Sequence, residues 1–161
     1  MKIHIMIKIV KDPNADSRSV NGKIPLIKLQ LATANHIDDV SEGLEYFADL
    51  LKAAGKNHDH TKSENMEEFH RALESGRIKN SRWYKMHITE ERHHLIAKVP
   101  DDVTLIDVLE HLVDCVMAGT ARSGEIFDID LSNGLLQRAH KNTVELLKKQ
   151  IKVEEAKKDE S

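Results

Sequence analysis

Apolar residues recur with a helical period through most of the chain, and this pattern restricts the fold more than any other feature. The first stripe comprises Val40, Leu44, Phe47, Leu51 and Ala54, and it ends at Gly55. Spacings of three and four residues place such side chains on one face of a helix. Similar patterns predict further helices from near Thr61 to Ser75, over about 103–118 with a stop at Gly119, and over about 131–152.

The N-terminal segment follows a different period. Ile3, Ile5, Ile7 and Ile9 alternate with other residues, which is typical of a β-strand with one apolar face. Residues 24–31 alternate again, and turn-forming residues lie between the two runs. We therefore expect a mainly α fold with an N-terminal β-hairpin over residues 1–31.

Charge and cysteine content exclude several classes of protein. The chain has 161 residues and a net charge of −3, so bulk electrostatic binding to nucleic acid or to anionic membranes is not expected. Its single cysteine, Cys115, excludes an intrachain disulfide and a cysteine-rich zinc site. No apolar run is long enough for a transmembrane helix, and we expect a cytoplasmic protein.

Ten histidines are the unusual feature of the composition, and several are ordered with aspartates along the chain. The order is His36, then His58-Asp59, then His87 with His93 and His94, and then Asp114. Imidazoles and carboxylates from different elements are typical ligands of a divalent cation. Since these donors are nitrogen and oxygen, the candidate metals are Mn, Fe, Co, Ni, Zn and Mg.

This order on a helical core resembles the HD-domain superfamily of metal-dependent phosphohydrolases, over residues 33–120. More narrowly, the block His58-Asp59-His60-Thr61-Lys62 followed by His93-His94 is similar to a group of small uncharacterised HD-like proteins from phages and bacteria. In that group a Leu stands at the position of His60 and a Phe at the position of Ser63. The chain is then one domain over residues 1–153, comprising the hairpin, an HD-domain-like helical bundle and a C-terminal helix over 131–153. A disordered tail follows over 154–161.

The resemblance implies a role for each residue that matches the motif. The metal ligands it implies are His36, His58, Asp59 and Asp114, with His93 at a second metal or a phosphate. The catalytic residues it implies are Lys62, His87 and His94, where Lys62 contacts the substrate phosphate or the attacking water. The implied activity is divalent-metal-dependent hydrolysis of a nucleotide or similar phosphorylated small molecule, in the host cytoplasm if the protein is phage-encoded.

A different function remains open from the sequence alone. The helices could form a non-catalytic scaffold that binds a protein partner or ligand, with the hairpin as a pairing edge and the metal absent or structural.

The environment of Asp114 is also left open by the sequence. Asp114 shares a polar arc with Asp107 and Glu110, opposite the leucine stripe of its helix. That arc either lines an internal polar cavity or is solvated.

Overall fold

The computed structural model describes residues 6–11, 22, 24–126 and 128–155. Within those ranges the elements are strand β1 (Ile7–Lys11), helices α1 (Leu26–Asn57), α2 (His60–Glu64), α3 (Met66–Glu74), α4 (Arg82–Glu90), α5 (Leu105–Ser123) and α6 (Asn133–Lys148), and strand β2 (Ile151–Glu155). A short 3-10 helix precedes α4 at Ile78–Asn80. The prediction of a mainly helical protein is confirmed. The chain forms two compact units, one of residues 1–50 and 145–161 and the other of residues 51–144.

The sheet of the first unit pairs two distant segments. Strand β1 pairs in parallel with β2, with Ile7 opposite Ile151. The predicted hairpin is therefore wrong in its second strand, because residues 26–31 begin α1. Pro25 stands just before this helix, where its missing N–H removes no helical hydrogen bond. Most of the hairpin's predicted turn lies outside the described residues, and so do residues 1–5 of its first strand.

Strand β2 also corrects the predicted C-terminal end. The helix expected over 131–152 ends at Lys148, and the strand begins three residues later. Glu154 and Glu155, predicted to belong to a disordered tail, pair with Val10 and Lys11. Residues 156–161 lie outside the described ranges.

The core of the second unit joins α5 and α6 to the segment before α5. It consists of the buried residues Leu95, Val103, Val108, Leu135 and Ala139. Two polar contacts fix the helices at this core: the Leu105 backbone N–H donates to Thr143 Oγ1 at 2.8 Å, and Asn142 Nδ2 donates to the Val103 carbonyl at 2.9 Å.

Helix α5 buries its polar side. Leu109 and Leu112, expected in the core, are 42% and 44% exposed, whereas Asp107 and His111 are buried. Of the two interpretations of the polar arc, the internal lining is the one that the structure has. The helix also continues through Gly119 and ends before Gly124, whose φ of 74° is the left-handed conformation that a helix C-terminus commonly requires.

The helix predicted from Thr61 is divided at Asn65 into α2 and α3. Thr61 lies inside α2, and its hydroxyl donates to Glu91 Oε1 at 2.6 Å. Residues 82–90 are helical as α4.

Asp107 anchors the start of α5, and its removal tests this packing. Its carboxylate accepts hydrogen bonds from the Thr104 backbone N–H at 2.7 Å and from Arg92 Nε at 2.6 Å. We expect Asp107→Ala to lower the free energy of unfolding by about 3 kcal/mol, the sum of a lost cap and a lost charged hydrogen bond. Asp102, whose side chain is 80% exposed, also contacts Arg92 at 3.0 Å. Asp102→Ala is the matched control and should cost under about 1 kcal/mol in denaturant melts; equal losses would contradict the interpretation.

Candidate metal centre

His58 and Asp59 lie in the tight connection between α1 and α2 and belong to a cluster within the second unit. Asp59 has a φ of 54°. Among residues other than glycine, aspartate and asparagine adopt this left-handed conformation more readily than most. The turn lets two adjacent side chains face the same group of residues on α4, α5 and the segment after α4.

The Asp59 carboxylate lies among four basic side chains. Its Oδ2 forms an ion pair with Lys62 Nζ and lies 3.5 Å from His58 Nε2. Its Oδ1 lies 3.6 Å from His87 Nε2 and 3.8 Å from His93 Nε2. Burial alone would raise the pKa of Asp59, but Lys62, His58 and His87 together hold it below its ordinary value. Asp59 is therefore ionised at neutral pH, as a metal ligand must be.

Helix α5 contributes two carboxylates one turn apart. Glu110 Oε1 lies 3.0 Å from both His58 Nδ1 and His93 Nδ1. Asp114 Oδ1 lies 3.5 Å from His58 Nε2. Burial raises the pKa of Glu110, yet the two histidines outweigh that effect and lower it.

His93 is the most deeply placed histidine of the cluster, with 1% of its surface exposed. Its Nδ1 is paired with Glu110 at 3.0 Å, whereas its Nε2 has no hydrogen-bond partner among the described residues. Burial lowers the pKa of His93, but Glu110, Asp114 and Asp59 together raise it above its ordinary value. A buried nitrogen without a partner is costly, and a divalent cation would satisfy it. The donor set therefore fits a bound metal ion.

Among the described residues, three overlapping groups each have ligand atoms within 4.8 Å of one another. These groups are His58, His93 and Asp114; Asp59, His93 and His94; and Asp59, His87 and Glu91. Nitrogen and oxygen donors of this kind suit Mn, Fe, Co, Ni and Zn.

A hydrogen-bond chain fixes the tautomer of His87. The Thr61 hydroxyl has a single hydrogen, and it donates that hydrogen to Glu91 Oε1 at 2.6 Å. The same hydroxyl lies 2.7 Å from His87 Nδ1, so this nitrogen must carry the proton and donate it to Thr61. Trp83 stacks on the imidazole, with ring centroids 4.8 Å apart. His87 Nε2 therefore carries a lone pair, which accepts a hydrogen bond from His94 Nε2 at 2.8 Å and lies near Asp59.

His94 completes this part of the cluster, with its Nε2 2.8 Å from His87 Nε2. Burial, followed by the nearby His93 and His87, lowers the pKa of His94 to about 4. Burial also lowers the pKa of His87. Both rings are neutral at neutral pH, which is the form that binds metal.

Most of the residues selected from the sequence lie together here. The cluster contains His58, Asp59, Lys62, His87, His93, His94 and Asp114. His36 is not among the residues whose ligand atoms converge. It lies on α1 in the first unit, where it lines a pocket with Ile7, Val40 and Leu147. Lys62, assigned to phosphate contact from the resemblance, is paired with Asp59.

Sequence analysis gave no site role to Glu110, Glu91 or Thr61. Glu110 could have been found from its position one helical turn before Asp114. Glu91 and Thr61 carry no such signal, because their contact joins residues 30 positions apart.

An open cavity of about 510 Å³ adjoins the cluster. His58, Glu110 and Asp114 form its polar floor. Its walls are formed by Leu51, Ala54, Gly55, Leu109, Val113 and Met117. A small molecule in this cavity would reach the candidate metal ligands directly.

No family model, curated protein or solved structure matches this chain. Among the described residues, none of the helices combines the length and the apolar character needed to cross a membrane. The function is therefore argued from the geometry of the cluster.

Proposed function

We propose that this protein is a divalent-metal-dependent phosphohydrolase that acts on a nucleotide or a similar phosphorylated small molecule. The observation that carries the proposal is the convergence of His58, Asp59 and Asp114 on the buried ring of His93, whose Nε2 lacks a hydrogen-bond partner among the described residues. The HD-type resemblance agrees with this proposal for His58, Asp59 and Asp114 and departs from it for His36.

The roles of the side chains follow from their contacts. His58, His93 and Asp114 would hold a cation that, when bound, supplies Lewis-acid stabilisation to a phosphoryl oxygen and acidity to water. His87 is oriented by Thr61, and its Nε2 could accept a proton or join the ligand set once its hydrogen bond from His94 is released. Lys62, held beside Asp59, adds positive charge at the edge of the cluster.

A metal held without hydrolysis is the second candidate. It is favoured by the ion pair of Lys62 with Asp59, since that lysine is not then free to contact phosphate. The two candidates predict the same metal content and differ only in turnover. An assay of metal-loaded protein with nucleoside monophosphates, phosphodiesters and alkyl phosphates separates them.

Metal content is the first test of the proposal. After incubation with Mn²⁺ or Ni²⁺ and gel filtration, elemental analysis of the parent should find about one or two equivalents. His58→Ala should lose most of this metal, because His58 contacts both Asp59 and Asp114. His70→Ala is the matched control, since the His70 side chain is 67% exposed on α3 and pairs with the exposed Glu74 at 3.6 Å.

The outcome that contradicts the proposal is equally plain. A parent protein that stays metal-free after incubation, or equal metal contents in the parent and His58→Ala, would contradict the proposed metal centre. In that case the cluster would be a hydrogen-bonded core and not a site.

A further inference from the structure

We propose that the cavity beside the metal centre selects a phosphate monoester whose organic group is apolar and uncharged. This inference rests on the proposed function and narrows it, because it concerns which phosphorylated molecule the centre accepts. It is carried by the chemistry of the cavity lining and by the continuity of the cavity with the candidate metal ligands.

The cavity is lined by one set of polar side chains and one set of apolar residues. His58, Glu110 and Asp114 line the floor, and the same side chains belong to the metal cluster. The other described residues of the lining have aliphatic or thioether side chains, apart from one glycine. A phosphate placed at the floor would therefore direct its ester group along an apolar surface.

The lining disfavours a nucleoside triphosphate. None of the described residues that line the cavity is lysine or arginine, while Glu110 and Asp114 contribute negative charge. A polyphosphate would meet repulsion beyond the single group held at the floor. A nucleobase would in addition leave its donors and acceptors against side chains that cannot pair with them, which is costly.

The size and composition of the cavity suit an apolar group instead. About 510 Å³ lies within the range of small-molecule sites and far exceeds the needs of a phosphate alone. Leu109, Val113 and Met117 are 42%, 50% and 64% exposed, so apolar surface is available for a ligand to cover. Each methylene buried there should increase affinity about fourfold.

The test uses n-alkyl phosphonates from methyl to octyl, which resist hydrolysis. Their binding to Mn²⁺-loaded protein is measured by isothermal titration calorimetry, below the concentration at which the longest member aggregates. We expect affinity to rise with chain length, so that the octyl compound binds at least about 100-fold more tightly than the methyl compound.

Two neighbouring residues provide a matched pair of variants. Val113 lines the cavity, whereas Leu112, which is 44% exposed on the same helix, does not. We expect Val113→Asn to reduce octylphosphonate affinity about tenfold and to leave methylphosphonate affinity unchanged. Leu112→Asn should leave both affinities unchanged, and thermal melts verify that both variants are folded.

The outcomes distinguish this inference from the proposed function. If inorganic phosphate and methylphosphonate bind but affinity does not rise with chain length, the apolar substrate is overturned and the metal centre stands. Equal losses of octylphosphonate affinity in the two variants also overturn it. It is overturned as well if Val113→Asn dissociates a dimer of the parent protein and affinity does not depend on the length of the alkyl chain. If inorganic phosphate and every phosphonate fail to bind, the proposed function fails together with this inference.

Discussion

Replacing Asp59 with asparagine should remove most of the bound metal and reduce phosphohydrolase turnover on the order of 10³-fold. The reason is the central position of its carboxylate, which forms an ion pair with Lys62 and lies within 4 Å of His58, His87 and His93. An asparagine keeps the size of the side chain and removes its charge. The cation would then lose an anionic ligand while Lys62 loses its counter-ion.

Asparagine is the substitution that isolates this effect. Asp59 has a φ of 54°, a conformation that asparagine tolerates and that costs most other residues roughly 1–2 kcal/mol. Asp59→Ala would combine strain with loss of the carboxylate. Metal stoichiometry, kcat/KM and thermal melts should be measured for Asp59→Asn beside Asp102→Asn, whose side chain is 80% exposed. Full metal content and unchanged turnover in Asp59→Asn would show that Asp59 has no role in the metal centre.

Thr61→Val should weaken metal binding about 10- to 100-fold, although Thr61 need not touch the metal. The valine has nearly the same shape but no hydroxyl, so His87 Nδ1 loses the acceptor that holds its proton. His87 can then carry its proton on Nε2, which removes the lone pair that faces Asp59. Nitrogen-15 NMR of the metal-free protein reports this tautomer directly, and calorimetry reports the metal affinity.

Serine at the same position is the control, because it retains the hydroxyl and can keep both contacts. Thr61→Ser should preserve the Nδ1-protonated tautomer and most of the metal affinity. Glu91 keeps a hydrogen bond from the Thr61 backbone N–H at 2.8 Å in both variants, so the comparison changes the hydroxyl alone. An unchanged His87 tautomer in Thr61→Val would disprove the role of this chain of hydrogen bonds.

Residue type and order were enough to find most of the cluster. His58, Asp59, His93 and Asp114 could be selected because imidazoles and carboxylates are the groups able to bind a cation, wherever they fall in the chain. Thr61 and Glu91 could not, since an ordinary hydroxyl and carboxylate acquire a role only when folding brings them together. His36 shared the correct chemistry but lies on α1 in the first unit, lining a different pocket.

Helical periodicity predicted the fold class and failed on orientation. The leucine stripe of α5 was assigned to the core, yet the opposite side is buried because Asp107 binds Arg92 and His111 binds the His93 carbonyl at 2.8 Å. Hydrophobic patterning assumes that polar residues prefer water, and a polar cluster reverses that preference. The parallel pairing of β1 with β2 was likewise invisible, because local pattern carries no information on a partner 144 residues away.

That strand pairing also bears on synthesis of the chain by the ribosome. Ile7 is made before the intervening segment, but its partner Ile151 emerges only after that segment has been translated. Residues 51–144 carry a core of their own, which lies between the two strands in the sequence. Closing so long a loop carries an entropic cost that grows with the logarithm of its length. The sheet therefore cannot form until every residue between its two strands has been translated.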